Sequence, residues 1–294
     1  MFDHLVTEKR NEESMHLDEC STYEIIDLMN RQDAYVLQAV RNELPSIEAV
    51  INKCIDVMKQ GGRIIYVGAG TSGRIGMLDA VECPPTFGMD PSRVVGILAG
   101  GNGMFAKEEA EDSYEEGQKA MKELELNTSD IVIGLAASGR TPFVIAACDY
   151  ANTIGAQSAC VVCNKQSELS SHVNYPIELE NGPEIVTGST RLKAGTSQKM
   201  VCNMITTATM IRLGKVYENL MVDVDVSNEK LYQRWINIVQ TITHKSIEEV
   251  KAIYEPCKHS AKIAILMLEK AYRYDEAKQL LEDCDGFVKQ ALRR

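Results

Sequence analysis

The sequence predicts an α/β protein: a parallel five-stranded sheet with helices on both faces, followed by a small C-terminal helical appendage. Three observations predict it. Five short runs are apolar throughout, without the polar alternation of a half-exposed strand, at 64–67, 94–98, 131–135, 158–162 and, more weakly, 175–179. Helical stretches at 73–81, 106–126, 142–154 and a short one at 167–171 separate them, an alternation that argues for right-handed βαβ crossovers. Small, hydroxyl-rich turns follow the first and third runs, and ligands of such sheets bind at the carboxyl ends of the strands.

Taken in order, residues 1–20 are polar and aperiodic, an arm that needs a surface to lie on. Ser21-Thr22-Tyr23-Glu24 is a capping box that opens a short helix through Asn30. A second helix, 34–43, stops before Pro45. A third, 46–60, places Ile47, Val50, Ile51, Cys54, Ile55 and Met58 on one face and ends at Gly61-Gly62. Beyond the sheet region a long helix rich in Met and small residues covers 196–213, and another covers 228–243. From Ser246 onward three short amphipathic segments are broken near Pro256 and Asp275. The expected division is an arm with helices at 1–45, the sheet domain at 46–243 and a helical domain at 244–294.

Composition narrows the function. The chain has 294 residues, 45% of them hydrophobic, enough for one large α/β domain and a smaller appendage. A formal charge of −11 argues against nonspecific binding to nucleic acid or to an anionic membrane. A small anionic substrate stays compatible, because local donors would hold it. No apolar stretch has the length that crosses a bilayer, and the polar start MFDHLVTEKRNEES does not read as a signal peptide. Nine cysteines, an odd number scattered through strands and helices, point to a reducing, cytoplasmic setting. Cys160-x-x-Cys163 lies in an apolar run and reads as a buried strand with incidental thiols. His4, His16, His172, His244 and His259 are scattered, with no metal-ligand cluster and no G-x-S-x-G pattern, so acid–base chemistry falls to carboxylates.

Four loops carry the candidate chemistry. In the first, Gly68-Ala69-Gly70-Thr71-Ser72-Gly73, a strand runs into a permissive turn, two hydroxyls and a helix N-terminus, which together suit an anion. Thr71 and Ser72 can also cap the helix that follows. The spacing satisfies a dinucleotide fingerprint, but that pattern alone is weak. It wants an acidic ribose ligand after the next strand, where Ala99-Gly100-Gly101-Asn102 stands instead; the adjacent hydroxyls suit a phosphate monoester. A plain left-handed turn closing the βα unit is the bland alternative. The second loop, Ala136-Ala137-Ser138-Gly139-Arg140-Thr141, repeats the same physics, and two such loops on one sheet argue for a shared phosphate site. The third segment, Thr187 to Thr196, gathers hydroxyls with Arg191 and Lys193, either to bind an anion or to satisfy helix ends. The fourth element is acidic: Glu82-Cys83-Pro84-Pro85, where Pro84 should end the helix, and Glu108-Glu109-Ala110-Glu111-Asp112, where Glu108 and Glu111 stand one turn apart. Composition alone reads the latter as solvated helix surface.

These motifs together resemble the N-acetylmuramic acid 6-phosphate etherases of the sugar isomerase (SIS) fold. The matching segments are GAGTSGRIGMLDAVECPPTFG from Gly68, AEDS from Ala110, AASGRTPFVIA from Ala136, TGSTRLKAGTSQKMVCNM from Thr187 and GKVYENLMVDV from Gly214. TEKRN and LDECST near the start extend the resemblance over nearly the whole chain. It implies cleavage of a D-lactyl ether without cofactor or metal, in the cytoplasm. It also implies Glu82 as proton donor, Glu111 as second active-site acid, Ser72, Ser138 and Thr141 as phosphate-loop hydroxyls, and Glu108 as a sugar contact. The eukaryotic glucokinase regulatory protein resembles the same family and binds phosphosugars without turning them over. An aldose–ketose phosphosugar isomerase is the other alternative on this fold. SIS proteins commonly dimerise, and a straight helix from Ser72 would carry Glu82 roughly 15 Å away. The expectation is therefore either an early helix break or a homodimer with a composite site.

Overall fold

Five strands form one parallel sheet: β1 (Ile64–Gly68), β2 (Val94–Leu98), β3 (Ile131–Ala136), β4 (Gln157–Val162) and β5 (Tyr175–Glu178), in the order β2-β1-β3-β4-β5. The structure, a computed structural model, describes residues 5–101, 108–226 and 228–294. The helices are α1 (Thr22–Asn42), α2 (Leu44–Lys59), α3 (Gly70–Phe87), α4 (Tyr114–Glu123), α5 (Pro142–Ile154), α6 (Lys193–Arg212), α7 (Glu229–Thr243), α8 (Ile247–Ala252), α9 (Ala261–Lys270), α10 (Tyr274–Glu282) and α11 (Val288–Arg293). The chain divides into two compact units, Met1–Val81 with Ser92–Thr206 and Glu82–Pro91 with Thr207–Arg294. The sequence reading cuts at 45 and 243 instead.

In the first unit the apolar runs become strands because both faces are covered. Ile65, Val67, Val132, Cys160 and Val162 face one way and pack with Phe143, Val144, Ala147 and Cys148 of α5. On the other face α3 lies so close that a Cβ on Gly76 would sit 2.7 Å from Tyr66 Cβ, and one on Gly96 would sit 2.6 Å from the Met77 backbone. The α6 backbone joins that face, where the Tyr66 hydroxyl donates to Cys202 O at 3.3 Å. Cys160 and Cys163 are buried, and burial pushes both thiols up to about 12. That agrees with a strand carrying incidental thiols.

The register of β1 on β3 is tied at the end of the sheet away from the loops. Asp130 is fully buried and accepts from Arg63 N at 2.9 Å, from its guanidinium at 2.6 Å and from Asn127 N at 3.1 Å. Arg63 also donates to Leu124 O and Glu125 O. Removing the acid leaves a mostly buried cation and two backbone N–H groups without their acceptor. Asp130→Ala should therefore cost about 3 kcal/mol in denaturant unfolding. An unchanged unfolding midpoint would show that the tie is dispensable.

Several helix boundaries differ from the sequence expectation, each for a local reason. The two helices expected at 22–30 and 34–43 are one, α1, because the polar stretch between them is held: Arg31 pairs with Asp27 at 3.0 Å, and buried Gln32 bonds the arm. The helix expected at 106–126 begins outside the described residues. Within them it is a 3-10 turn, Glu108–Asp112, then α4, which Ser113 caps by accepting from Glu116 N at 3.2 Å. The short stretch at 167–171 is a 3-10 turn, Leu169–His172. The prolines do not stop α3 at Glu82; it runs through Pro84 and Pro85 to Phe87, and Gly88 N still donates to Pro84 O at 2.8 Å. Proline removes its own N–H bond but leaves its carbonyl able to accept. The C-terminal region after Ser246 holds four short helices rather than three.

The arm lies on the first unit through polar contacts: Val6 N to Asn164 Oδ1 at 2.7 Å, Asn11 Nδ2 to Pro183 O at 3.1 Å and Ser14 Oγ to Ile185 O at 2.8 Å. The second unit is built around Trp235 of α7, fully buried among Val222, Ile265, Leu266 and Val288. Asp223 there takes Lys262 at 2.6 Å and Lys215 at 3.0 Å. Burial pulls the Lys262 ammonium below its usual range, and Asp223 opposes that.

Candidate functional site

The strand order places the switch in direction between β1 and β3, the crevice where doubly wound sheets bind ligands. These are the strands that feed the two hydroxyl loops, and their ends are level, Gly68 opposite Leu135. The first loop is built by close approach: a Cβ on Gly68 would meet Gly73 N at 2.6 Å, and one on Gly73 would meet Gly68 O at the same distance. Gly70 takes φ +51 and opens α3. Thr71 and Ser72 therefore sit inside the first helical turn instead of capping it, where backbone N–H groups have no intrahelical partner. Ser72 is buried and its hydroxyl donates to Gln198 Oε1 at 2.8 Å, while Gln198 Nε2 donates to Val161 O at 3.1 Å. Thr71 is half-buried beside Gly195, where an added Cβ would lie 3.5 Å from Thr71 Cγ2.

The second loop ends in α5, with Thr141 at the N-cap and Pro142 first in the helix. The Thr141 hydroxyl makes no cap bond. Ser138 Oγ accepts from Arg140 N at 3.3 Å, and Gly139 takes φ +71 against Ser167. Both hydroxyls are half-buried. The arrangement can present hydroxyls and helix-terminal N–H groups to a dianion from two neighbouring strands.

The third segment meets the first loop at Gly195, and Gln198, just past it, bonds Ser72, but the Lys193 cation is turned to another task. α6 begins at Lys193, three residues ahead of the expected Thr196, because the buried Glu184 carboxylate supplies an N-terminal cap from outside the segment. Glu184 accepts Lys193 N at 3.0 Å and Ala194 N at 2.9 Å. Burial raises the Glu184 carboxyl, opposed by those two N–H bonds. Lys193 is buried and donates from Nζ to Gln32 Oε1 at 2.8 Å, with Tyr35 at 5.5 Å below it. Burial lowers its ammonium, opposed by Glu184.

The acidic elements fall in different units. Glu111 is exposed, in the 3-10 turn after β2, and Glu108 opens that turn. Ala110 of this turn packs on the same cluster as Ala69 of the first loop and Phe143 after the second. Glu82 is exposed and belongs to the second unit. The first unit thus places Thr71, Ser72, Ser138, Thr141 and the turn bearing Glu111 after the carboxyl ends of β1, β3 and β2. Gln198 and Glu184 were not singled out from sequence; Gln198 lies two residues past the segment read for its cations, and nothing local marks Glu184. Among the described residues no group of three or more His, Cys, Asp and Glu side chains is placed to hold a metal.

Ser72→Ala and Ser138→Ala should each weaken phosphosugar binding by about 1–2 kcal/mol, measured by titration calorimetry. The double variant should no longer prefer phosphorylated over unphosphorylated sugar. Retention of the original preference would show that the phosphate sits elsewhere.

A parallel sheet in this order, with hydroxyl loops at its switch point, defines the class as a doubly wound α/β fold with an anion-suited crevice. Residues 46–152 match the N-terminal SIS domain of glucokinase regulatory protein, and residues 218–265 match the C-terminal lid domain of that protein. Two solved structures share the fold at low identity. A candidate phosphosugar isomerase of capsule formation from Bacteroides fragilis aligns with TM-score 0.52 and 19% identity over 68% of this chain and 95% of its own. Phosphoheptose isomerase from Neisseria gonorrhoeae aligns with TM-score 0.50 and 12% identity over 64% and 98%. Full-length relatives are far more similar. The N-acetylmuramic acid 6-phosphate etherases of Exiguobacterium sp. and Geobacillus thermodenitrificans are each 49% identical over 99% of this chain and 100% of their own; that of a Bacillus cereus strain is 51% identical over the same shares. The chain belongs to the N-acetylmuramic acid 6-phosphate etherase family.

Proposed function

We propose that this protein cleaves the D-lactyl ether of N-acetylmuramic acid 6-phosphate, yielding N-acetylglucosamine 6-phosphate and D-lactate. The observation that carries the reading is half identity over the full length to etherases, in a chain with hydroxyl loops at the β1/β3 switch point. Thr71, Ser72, Ser138 and Thr141 hold the phosphate; Glu108 contacts the sugar; Lys193 braces the third segment beside the phosphate loop.

The chemistry needs only acids and bases. An alkyl ether resists direct hydrolysis, but the open-chain sugar has an aldehyde at C1 that acidifies the C2 proton. A base, assigned to Glu111, removes that proton, and the C2 electron pair forms the C2=C3 double bond. The C3–O bond breaks with its electrons moving to the lactyl oxygen, which Glu82 protonates. Water then adds at C3 and a proton returns to C2. The net change is hydrolysis, with no electron acceptor or donor. In water enriched in oxygen-18 the label should enter the sugar product at C3 and be absent from lactate. Label in lactate would rule out elimination.

The site is composite in a homodimer. Ser72 and Glu82 are ten positions apart along α3 and belong to different compact units. Leu78 and Val81, just ahead of Glu82, are 49% and 62% exposed, apolar surface that a second copy would cover. Glu82 therefore serves the pocket of the partner. The nine cysteines form no disulfide, in keeping with a cytoplasmic enzyme.

A further inference from the structure

Asn164 lies just past β4 and is 3% exposed, between the N-terminal arm and the second hydroxyl loop. On one side its Oδ1 accepts Val6 N at 2.7 Å and Thr7 N at 3.5 Å. On the other its Nδ2 donates to Ala137 O at 3.1 Å, Ser138 O at 3.4 Å and Thr7 Oγ1 at 3.2 Å. The polarity of these partners is fixed, because backbone N–H groups can only donate and backbone carbonyls can only accept. They demand a side chain that accepts at one end and donates at the other within one short planar group, which is the chemistry of an asparagine amide. Backbone bonds anchor the same loop from Cys163 N to Ala137 O at 2.9 Å and from Leu169 N to Gly139 O at 2.8 Å. Asn164 adds a contact that also engages the arm.

We propose that Asn164 is a positioning residue for the loop Ser138–Thr141, and that it makes the seating of the arm a condition for phosphate binding. The inference rests on the reading of that loop as part of the phosphate site. A hydroxyl pair must be held within a fraction of an ångström to serve a phosphate, and the shell behind it sets that precision. Displacement of Val6 and Thr7 removes the N–H partners of Asn164 Oδ1 and one acceptor of its Nδ2, so the side chain that donates to Ala137 O and Ser138 O is no longer held from the arm side.

Two variants separate the two sides of the clamp. Asn164→Asp keeps size and the acceptor toward Val6 but sets a carboxylate oxygen against two carbonyls. Val6→Pro removes the donor on the arm side alone; Leu5 has φ −78 and ψ 123, the extended conformation that precedes proline, and Val6 is first in its 3-10 turn, where proline fits. Binding of N-acetylglucosamine 6-phosphate is read by calorimetry and KM and kcat by turnover, on protein shown to be folded by circular dichroism. We expect about a tenfold weaker Kd and higher KM for Asn164→Asp and about threefold for Val6→Pro, with kcat within about twofold for both. Kd and KM at wild-type values in folded Asn164→Asp overturn the proposal, and wild-type values in Val6→Pro alone overturn the part played by the arm. A loss of kcat at constant KM also overturns it. Ser138→Ala, run beside them, tells the two failures apart: if it binds as wild type, the phosphate-loop reading falls; if it weakens binding while Asn164→Asp does not, only the clamp falls.

Discussion

Glu82→Gln should release lactate roughly 10²–10⁴-fold more slowly than the wild type, yet still exchange the C2 hydrogen of the sugar product with deuterated solvent. The substitution keeps size and hydrogen bonding but cannot donate a carboxyl proton. The lactyl oxygen leaves poorly unless protonated, so the penalty falls on C–O cleavage. Exchange at C2 needs a base alone and should survive. Glu111→Gln should lose both exchange and cleavage. Mass spectrometry of deuterium in the product, beside enzymatic measurement of lactate, separates the steps. Loss of exchange in Glu82→Gln with its retention in Glu111→Gln would reverse the two roles, or give Glu82 both in a syn elimination. Full activity in both variants would end the carboxylate mechanism.

The second large effect concerns assembly. A Glu82→Gln chain and a chain carrying Ser72→Ala with Ser138→Ala should each be nearly inactive alone. Mixed and allowed to exchange, they should regain activity. In a composite dimer half of the mixed sites combine an intact phosphate site with an intact Glu82. The observation behind this is the continuity of α3 from Gly70 to Phe87, which keeps ten helical positions between Ser72 and Glu82. Native mass spectrometry would verify that mixed dimers form. Verified mixed dimers without activity would place both parts of the site on one chain.

The parallel sheet was legible because burial on both faces writes itself as unbroken apolar runs; β2 and α5 have the expected bounds. What was not legible depended on partners remote in sequence. The polar residues 31–33 of α1 read as a break, since nothing local shows that Gln32 is bonded to Asn11 and Lys193. The start of α6 read three residues late, since its cap is Glu184, nine residues ahead of Lys193. The start of α4 within the stretch 106–126 misread for a different reason: Ser113 and Glu116 have the spacing of a capping box, and charge density hid it. At the candidate site both hydroxyl loops were legible from turn chemistry. The tasks of Ser72 and Lys193 in the folded chain were not, since Gln198 and Gln32 reach them from other elements.

Incubation of the purified protein with N-acetylmuramic acid 6-phosphate, with D-lactate and the sugar phosphate both quantified, tests the central claim most directly. The account predicts D-lactate and N-acetylglucosamine 6-phosphate in equal amounts, without added cofactor. Tight binding of the phosphosugar with no lactate released would contradict it and make the protein a phosphosugar-sensing regulator. An isomerised sugar with its lactyl ether intact would contradict it equally and make the protein an aldose–ketose isomerase.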